Sequence, residues 1–238
     1  IAEELADKDF HVYTADLRGN GKSTLRPSRK VDFGYADQLD QEYSSILSHV
    51  QKAHPQKRVL VLGHSLGGQL ACLMAARKTH RIDGLVLIAC CSVYYRGWSG
   101  MGRIRTLFGT QFLRLVSSVV GYLPGKQVGF GGLEAKTVIK DWGRQARSGK
   151  YRLKNDPLNY EKALTEVELP VLAVSIEGDA LAPPKAVDHL LGKMKSAKAE
   201  HLQLKKENPN NEGYNHFNWV KKPKGITRVI TDWHSKLN

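Results

Sequence analysis

Arg58-Val-Leu-Val-Leu-Gly63-His64-Ser65-Leu66-Gly67-Gly68 is the stretch on which the fold turns. Its first half is apolar at consecutive positions, as in a strand buried on both faces. Residues 66–77, rich in Leu, Ala and Met, read as a helix. Between the two lies G-x-S-x-G. A serine at the tip of a sharp strand-to-helix turn presents its hydroxyl at the carboxyl edge of a sheet, where open α/β sheets bind ligands. Gly63 and Gly67 are expected to be small because the chain crowds on itself two residues either side of Ser65. The Leu66 N–H, at the start of the helix, points to where an oxyanion would form. The pattern alone is weak, since an inert serine in a Gly-bounded turn also satisfies it. The flanking strand and helix give it weight.

Working outward, residues 1–8 read as the end of an amphipathic helix and 11–15 as a short buried strand. Residues 16–23 form a turn-rich loop, and Leu39, Tyr43, Ile46, Leu47 and Val50 fall at helical spacing within 37–53. Gly84 to Cys90 is a further strand. This alternation predicts an α/β fold, a mostly parallel sheet with helices on both faces. It then stops for about seventy residues and resumes with a strand at 170–176, a helix at 182–195 opened by Pro183 and Pro184, a strand at 199–205 and a helix at 223–236. The expected organisation is a core of 1–95 and 169–238 with a helical insertion, a lid, at 96–168. The insertion carries an apolar helical stripe at 104–120, a stretch with five glycines at 121–132 and a second helix at 133–147.

Composition removes other classes. A chain of 238 residues, 41% hydrophobic and 25% charged, is neither fibrous nor wholly disordered. No apolar run reaches the ~20 residues of a spanning helix. Cys72, Cys90 and Cys91 are too few and too badly spaced for a disulfide framework or a zinc site, so no metal is expected and a reducing, cytoplasmic setting is the default. Ile1 opens on a helix pattern instead of Met, which points to an upstream segment outside this sequence.

A serine hydroxyl needs a base, and the base needs an orienting acid. In strand-turn-helix hydrolases the chain order is serine, acid, histidine. Asp179 follows the 170–176 strand in a Gly-containing turn; Glu177 competes, being nearer the strand end. Asp179 is favoured because Gly178 gives the residue after it more freedom to point inward. His216 lies in a loop with Gly213 and aromatic neighbours just before the last helix. His64 is expected to point away across the turn, His201 lies in a strand, and His189 and His234 lie on helices.

These residues resemble the α/β-hydrolase superfamily, above all its lid-bearing serine hydrolases, the serine aminopeptidase-like and monoacylglycerol-lipase-like group. They are also similar to a bacterial set of uncharacterised α/β hydrolases. The resemblance is carried by Asp16-Leu-Arg-Gly-Asn-Gly-Lys-Ser23, by Gly63 to Gly68, by Glu177-Gly-Asp179 and by His216. It implies Ser65 as nucleophile, His216 as general base and then acid, Asp179 as orienting carboxylate, Leu66 N–H as one oxyanion donor, and no cofactor. It also implies about 40–60 upstream residues, with further strands and the loop of a second oxyanion donor. The substrate class implied is a small-molecule carboxylic ester; acyl transfer or peptide cleavage on the same residues and a non-catalytic binding protein are the alternatives.

Two features compete for other readings. Gly19-Asn-Gly21-Lys22-Ser23 looks like a phosphate loop, but the position that needs glycine is Asp16, whose carboxylate would repel a phosphate. Net charge is +13, which raises nucleic acid or an anionic membrane as partners. No nucleic-acid motif is present. Residues 96–168 hold 13 basic and 6 acidic groups, over half the excess, so weak contact of a basic lid with an anionic membrane surface is the sharper expectation. Trp98, Phe112 and Trp142 are candidates for lining an acyl pocket, with half of the 104–120 stripe packing on the sheet.

Overall fold

The structure, a computed structural model, describes residues 1–128, 131–205 and 213–237. Glu212 of the expected histidine loop and residues 129 and 130 of the Gly-rich stretch lie outside them. In chain order the elements are α1 (Ala2–Ala6), α2 (Tyr35–Asp37), a π-helical stretch (Gln38–Tyr43), α3 (Ser44–Ala53), β1 (Leu60–His64), α4 (Leu66–Arg77) and β2 (Gly84–Ile88). Then come α5 (Gly100–Val120), β3 (Tyr122–Pro124), β4 (Leu133–Ala135), α6 (Lys136–Ser148) and α7 (Tyr160–Thr165). The chain ends with β5 (Pro170–Ile176), α8 (Pro184–Leu191), β6 (Lys198–Leu204) and α9 (Lys224–Ser235).

The main sheet runs β1-β2-β5-β6, all parallel. Its period-2 alternation builds two cores. Leu85, Leu87, Val171 and Ala173 face α3, α4, α7 and α8. Their sequence neighbours Val86, Ile88, Leu172, Val174 and Ile176 face the other way, onto Leu5 of α1 and Ile226, Ile230 and Trp233 of α9. Strands apolar at every position are what this two-sided burial requires. Helix α4 is buried from Gly68 through Ala76, as a helix pressed between sheet and outer helices must be.

One expected strand does not form. Residues 11–15 are irregular and run past the outer edge of β1 without joining its ladder. A strand exists by its pairing hydrogen bonds, and here Tyr13 turns to the imidazoles of His49 and His54 instead. A cleft of about 770 Å³, lined by residues of both segments, opens between them. The Asp16–Ser23 loop folds around its own carboxylate: Asp16 Oδ2 accepts the Lys22 N–H at 2.8 Å, and a Cβ on Gly21 would sit 2.0 Å from Asp16 Cγ. The space a phosphate would need is filled. Arg18 from this loop is buried, donating to Glu42 and Gln41 at 2.5 Å, and so pins the loop to the helical 38–43 stretch.

The 96–168 segment holds three kinds of packing. Tyr151, Leu153, Tyr160, Ala163, Leu164 and Val167 belong to the main core. Helix α6 is docked by its N-terminus: the Asp32 carboxylate accepts Thr137 N–H at 2.8 Å and Thr137 Oγ1–H at 2.7 Å. Phe33 O accepts Val138 N–H at 3.1 Å. Helix α5 is inverted. Its buried side presents Thr110, Leu113 and Ser117, and Gln111 donates to Gly143 O of α6 at 2.8 Å. Its exposed side carries Met101, Ile104, Phe108, Phe112, Leu115 and Val119, with Phe108 67%, Phe112 58% and Val119 75% exposed. The stripe that the sequence suggests for sheet packing and pocket lining therefore faces outward.

Asp141 of α6 accepts from the buried Tyr35 N–H at 3.3 Å and from Arg144 at 3.0 Å. Burial pushes its carboxyl up to about 6, although those two donors and the Lys154 amide favour its charge. Between pH 4 and 6 the folded protein thus keeps a proton that the unfolded chain has lost, and stability falls as pH rises through this window. Urea midpoints measured from pH 4 to 7 should show this decline in wild type. They should show it reduced by up to about 3 kcal/mol in Asp141→Asn, the worth of two pKa units.

Candidate active site

Three segments bring the predicted residues together at the carboxyl edge of the sheet. Ser65 follows β1 and caps α4 with φ 50 and ψ −118, a conformation that a non-glycine residue holds only where its surroundings impose it. Ser65 N–H donates to Ile88 O at 3.1 Å, tying the turn to β2. Leu66 opens α4, so its N–H is one of the first of the helix, which have no intrahelical acceptor.

The glycine requirement differs from the expectation in one respect. A Cβ on Gly63 would lie 2.5 Å from the backbone of Gly68, and one on Gly68 would lie 2.5 Å from Cys90 Sγ; one on Gly67 would meet nothing within 4 Å. The chain closes between Gly63 and Gly68, while Gly67 turns to open space and is held through its carbonyl, which accepts the Tyr43 hydroxyl at 2.9 Å.

Asp179 lies past β5, after Gly178, whose φ of +76 turns the chain inward. Its Oδ1 accepts the N–H of Leu181 at 2.8 Å and of Ala182 at 3.2 Å, and its Oδ2 meets His216 Nδ1 at 2.8 Å. Burial works against its charge, but His216 and the two amides hold its carboxyl below the ordinary range. Glu177 is exposed. On its other nitrogen, His216 Nε2 lies 3.1 Å from Ser65 Oγ. His216 is 7% exposed and Asp179 8%.

His64 does not point away. In register His64 pairs with Ile88, which puts its ring on the sheet face that carries Trp219. There it sits 5.0 Å from the His216 ring, and its Nε2 is 2.8 Å from His216 O. This contact is not legible in sequence, because the two residues are 152 positions apart.

The proposed pocket residues part company. Trp98 Nε1–H donates to Ala180 O at 2.9 Å, beside Asp179. Trp142 packs with Leu113, Leu123 and Ile139 between α5 and α6. Phe112 stands on the outer face of α5 and is not brought to Ser65.

A second serine–histidine–aspartate line runs through Ser175, His201 and Asp188, with separations of 2.9 and 2.7 Å. Its serine is fully buried inside β5, so no substrate carbonyl can reach it. Among the described residues no group of three or more His, Cys, Asp or Glu is placed to hold a metal ion. Among the same residues no helix is long and apolar enough to cross a membrane.

Comparison with known proteins decides the family. The sequence profile of the serine aminopeptidase S33 family matches residues 1–162. The chain belongs to that family. Its fold is the α/β-hydrolase fold: it superposes on a metagenome-derived lipolytic enzyme, described as one of the pair LipS and LipT, with a TM-score of 0.65 at 18% identity, covering 98% of this chain and 86% of that one. It superposes on the monoacylglycerol lipase of Paleococcus ferrophilus with a TM-score of 0.58 at 15% identity, covering 92% and 80%. In sequence, this S33 family chain is 32% identical over 90 residues to monoglyceride lipase of Rattus norvegicus, a stretch covering 37% of this chain and 28% of that protein. The chain spans little more than a quarter of the length of the curated relatives it matches.

Proposed function

We propose that this protein is a serine hydrolase that cleaves a small-molecule carboxylic ester through an acyl-Ser65 intermediate. The observation that carries the reading is the unbroken line Ser65 Oγ, His216 Nε2, His216 Nδ1, Asp179 Oδ2, with the serine at the head of α4. In this reading His216 takes the Ser65 proton as Oγ attacks the ester carbonyl, and buried Asp179 stabilises the imidazolium. The oxyanion forms beside Leu66 N–H and the positive end of α4. His216 then returns the proton to the leaving alkoxide, and water, activated by the same imidazole, releases the acid and Ser65. The lipase relatives support an ester substrate; peptide cleavage or acyl transfer on the same groups is the neighbouring reading. The test is fluorophosphonate labelling of wild type and Ser65→Ala, followed by p-nitrophenyl esters of increasing acyl length. Labelling that is absent from wild type, or retained in Ser65→Ala, overturns the proposal.

Within the 96–168 segment, whose 151–167 part packs into the main core, the α5–α6 part serves as the lid, and the surface it meets is an anionic bilayer. Helix α5 supports this: its outward apolar stripe is bordered by Arg105, and the helix contains three arginines and no acidic residue. An apolar face flanked by cations is the pattern of helices that lie in a lipid interface. Vesicle sedimentation should show binding to phosphatidylglycerol-containing vesicles that weakens about tenfold in Phe108→Ser/Phe112→Ser and with added salt. Wild type left wholly in the supernatant counts against it. Three buried, unpaired thiols, Cys72, Cys90 and Cys91, support a reducing compartment, the cytoplasm.

A further inference from the structure

The loop that carries His216 is tied to the strand that carries Ser65 by a contact outside the Ser65–His216–Asp179 line. His64, the residue before Ser65, places Nε2 at 2.8 Å from the backbone oxygen of His216, a carbonyl that can only accept, so His64 is the donor. Its ring meets aromatics of that same loop in tilted and edge-on contacts: His216 at 5.0 Å, Trp219 at 5.5 Å and Phe217 at 6.1 Å. Among the described residues the loop also makes local hydrogen bonds. Asn215 N–H donates to Asn218 Oδ1, Phe217 N–H to Asn215 Oδ1, and Asn218 Nδ2 to Gly213 O. These shape the turn, the buried Trp219 packs it against the sheet face of Ile88 and Val174, and the His64 bond ties the main chain of His216 to the end of β1.

We infer that His64 is a positioning residue for the proposed reaction: its Nε2–H clamps the backbone of His216 so that the imidazole stands over Ser65 Oγ. The inference rests on the reading of Ser65, His216 and Asp179 as the reacting groups. The geometry is a closed triangle. His64 ends β1 and Ser65 follows it directly; one holds the main chain of His216 and the other meets its side chain. Burial and the neighbouring His216 hold the His64 imidazole below its ordinary pKa, so it sits there neutral, adding no positive charge beside a base that must become cationic. A side chain with a donor at the Nε2 position should therefore preserve function, and one of the same size without a donor should not.

The test compares wild type, His64→Gln and His64→Met, with His64→Phe as a ring-preserving control. Gln and Met have similar length, and only Gln carries a donor where His64 has Nε2. On p-nitrophenyl butyrate, kcat should fall about 10–100-fold in His64→Met and His64→Phe, the range expected for a slightly displaced base. KM should stay within about twofold, and His64→Gln should recover most of kcat. The low-field proton resonance of the His216–Asp179 hydrogen bond should persist in His64→Gln and broaden or vanish in His64→Met. Equal kcat in Gln and Met variants, or wild-type kcat in the Phe variant, overturns the inference. If wild type proves no more active than Ser65→Ala, the hydrolase reading has failed, and the resonance still decides whether His64 clamps the loop: unchanged in all variants, it does not. A loss of melting temperature shared by Gln and Met, with the resonance gone from both, assigns His64 to folding and also overturns the inference.

Discussion

Replacing Ser65 by alanine is expected to lower turnover of a short p-nitrophenyl ester by about 10⁵-fold and to abolish fluorophosphonate labelling. The size of the effect follows from what is removed. Without Oγ no acyl-enzyme can form, and the remaining catalysis is the binding of substrate beside Leu66 N–H and the head of α4. His216 and Asp179 should contribute little on their own, because a general base without its nucleophile can only activate water held at the wrong distance. The fold should survive. The Ser65 side chain meets His216 alone among the described hydrogen bonds, while the turn is held by backbone contacts to Ile88, Gly68 and Gln69. Melting temperatures within a few degrees of wild type, measured alongside activity, separate a lost nucleophile from a lost fold. Residual turnover within tenfold of wild type would move the chemistry to another residue.

Asp179→Asn should reduce kcat by about 10⁴-fold, and Glu177→Gln should leave it within about threefold. The two carboxylates are separated by one glycine, yet the physical demands on them are opposite. Asp179 accepts two backbone N–H groups on one oxygen, which fixes the carboxyl plane, and offers the other oxygen to His216 Nδ1. That bond sets the tautomer in which Nε2 is free to take a proton. An asparagine keeps the shape, but its amide can present its N–H₂ to Nδ1 and so select the wrong tautomer. Glu177 is exposed, and its backbone N–H continues the β5–β6 pairing through Leu204 O. Comparable losses in both variants, or a larger loss in Glu177→Gln, would reverse the assignment of the acid.

Much of the architecture was legible because buried parallel strands and their helices leave a two-way signature. Val86 and Ile88 alternate with Leu85 and Leu87, and all are apolar because both faces are covered. The turn at Ser65 was legible because backbone that approaches its own chain excludes side chains. Which glycine does that excluding was not: spacing suggests Gly67, and the three-dimensional closure selects Gly68 against Gly63 and Cys90. The 11–15 stretch has strand composition but pairs with no strand among the described residues, and composition cannot report a missing ladder. Helix α5 has the periodicity of a packed helix with the opposite orientation, since a 3.6-residue repeat defines a stripe and not the side on which the rest of the protein lies.

By itself the sequence determined the α/β alternation, the strand-turn-helix around Ser65 and the order of its candidate partners, because each depends on neighbours within a few residues. Only the tertiary structure decided which carboxylate meets His216, where the apolar stripe of α5 faces, and that His64 reaches the His216 backbone. Those contacts join residues 37 to 152 positions apart, and their distances are set by how the sheet and helices pack, which no local pattern encodes.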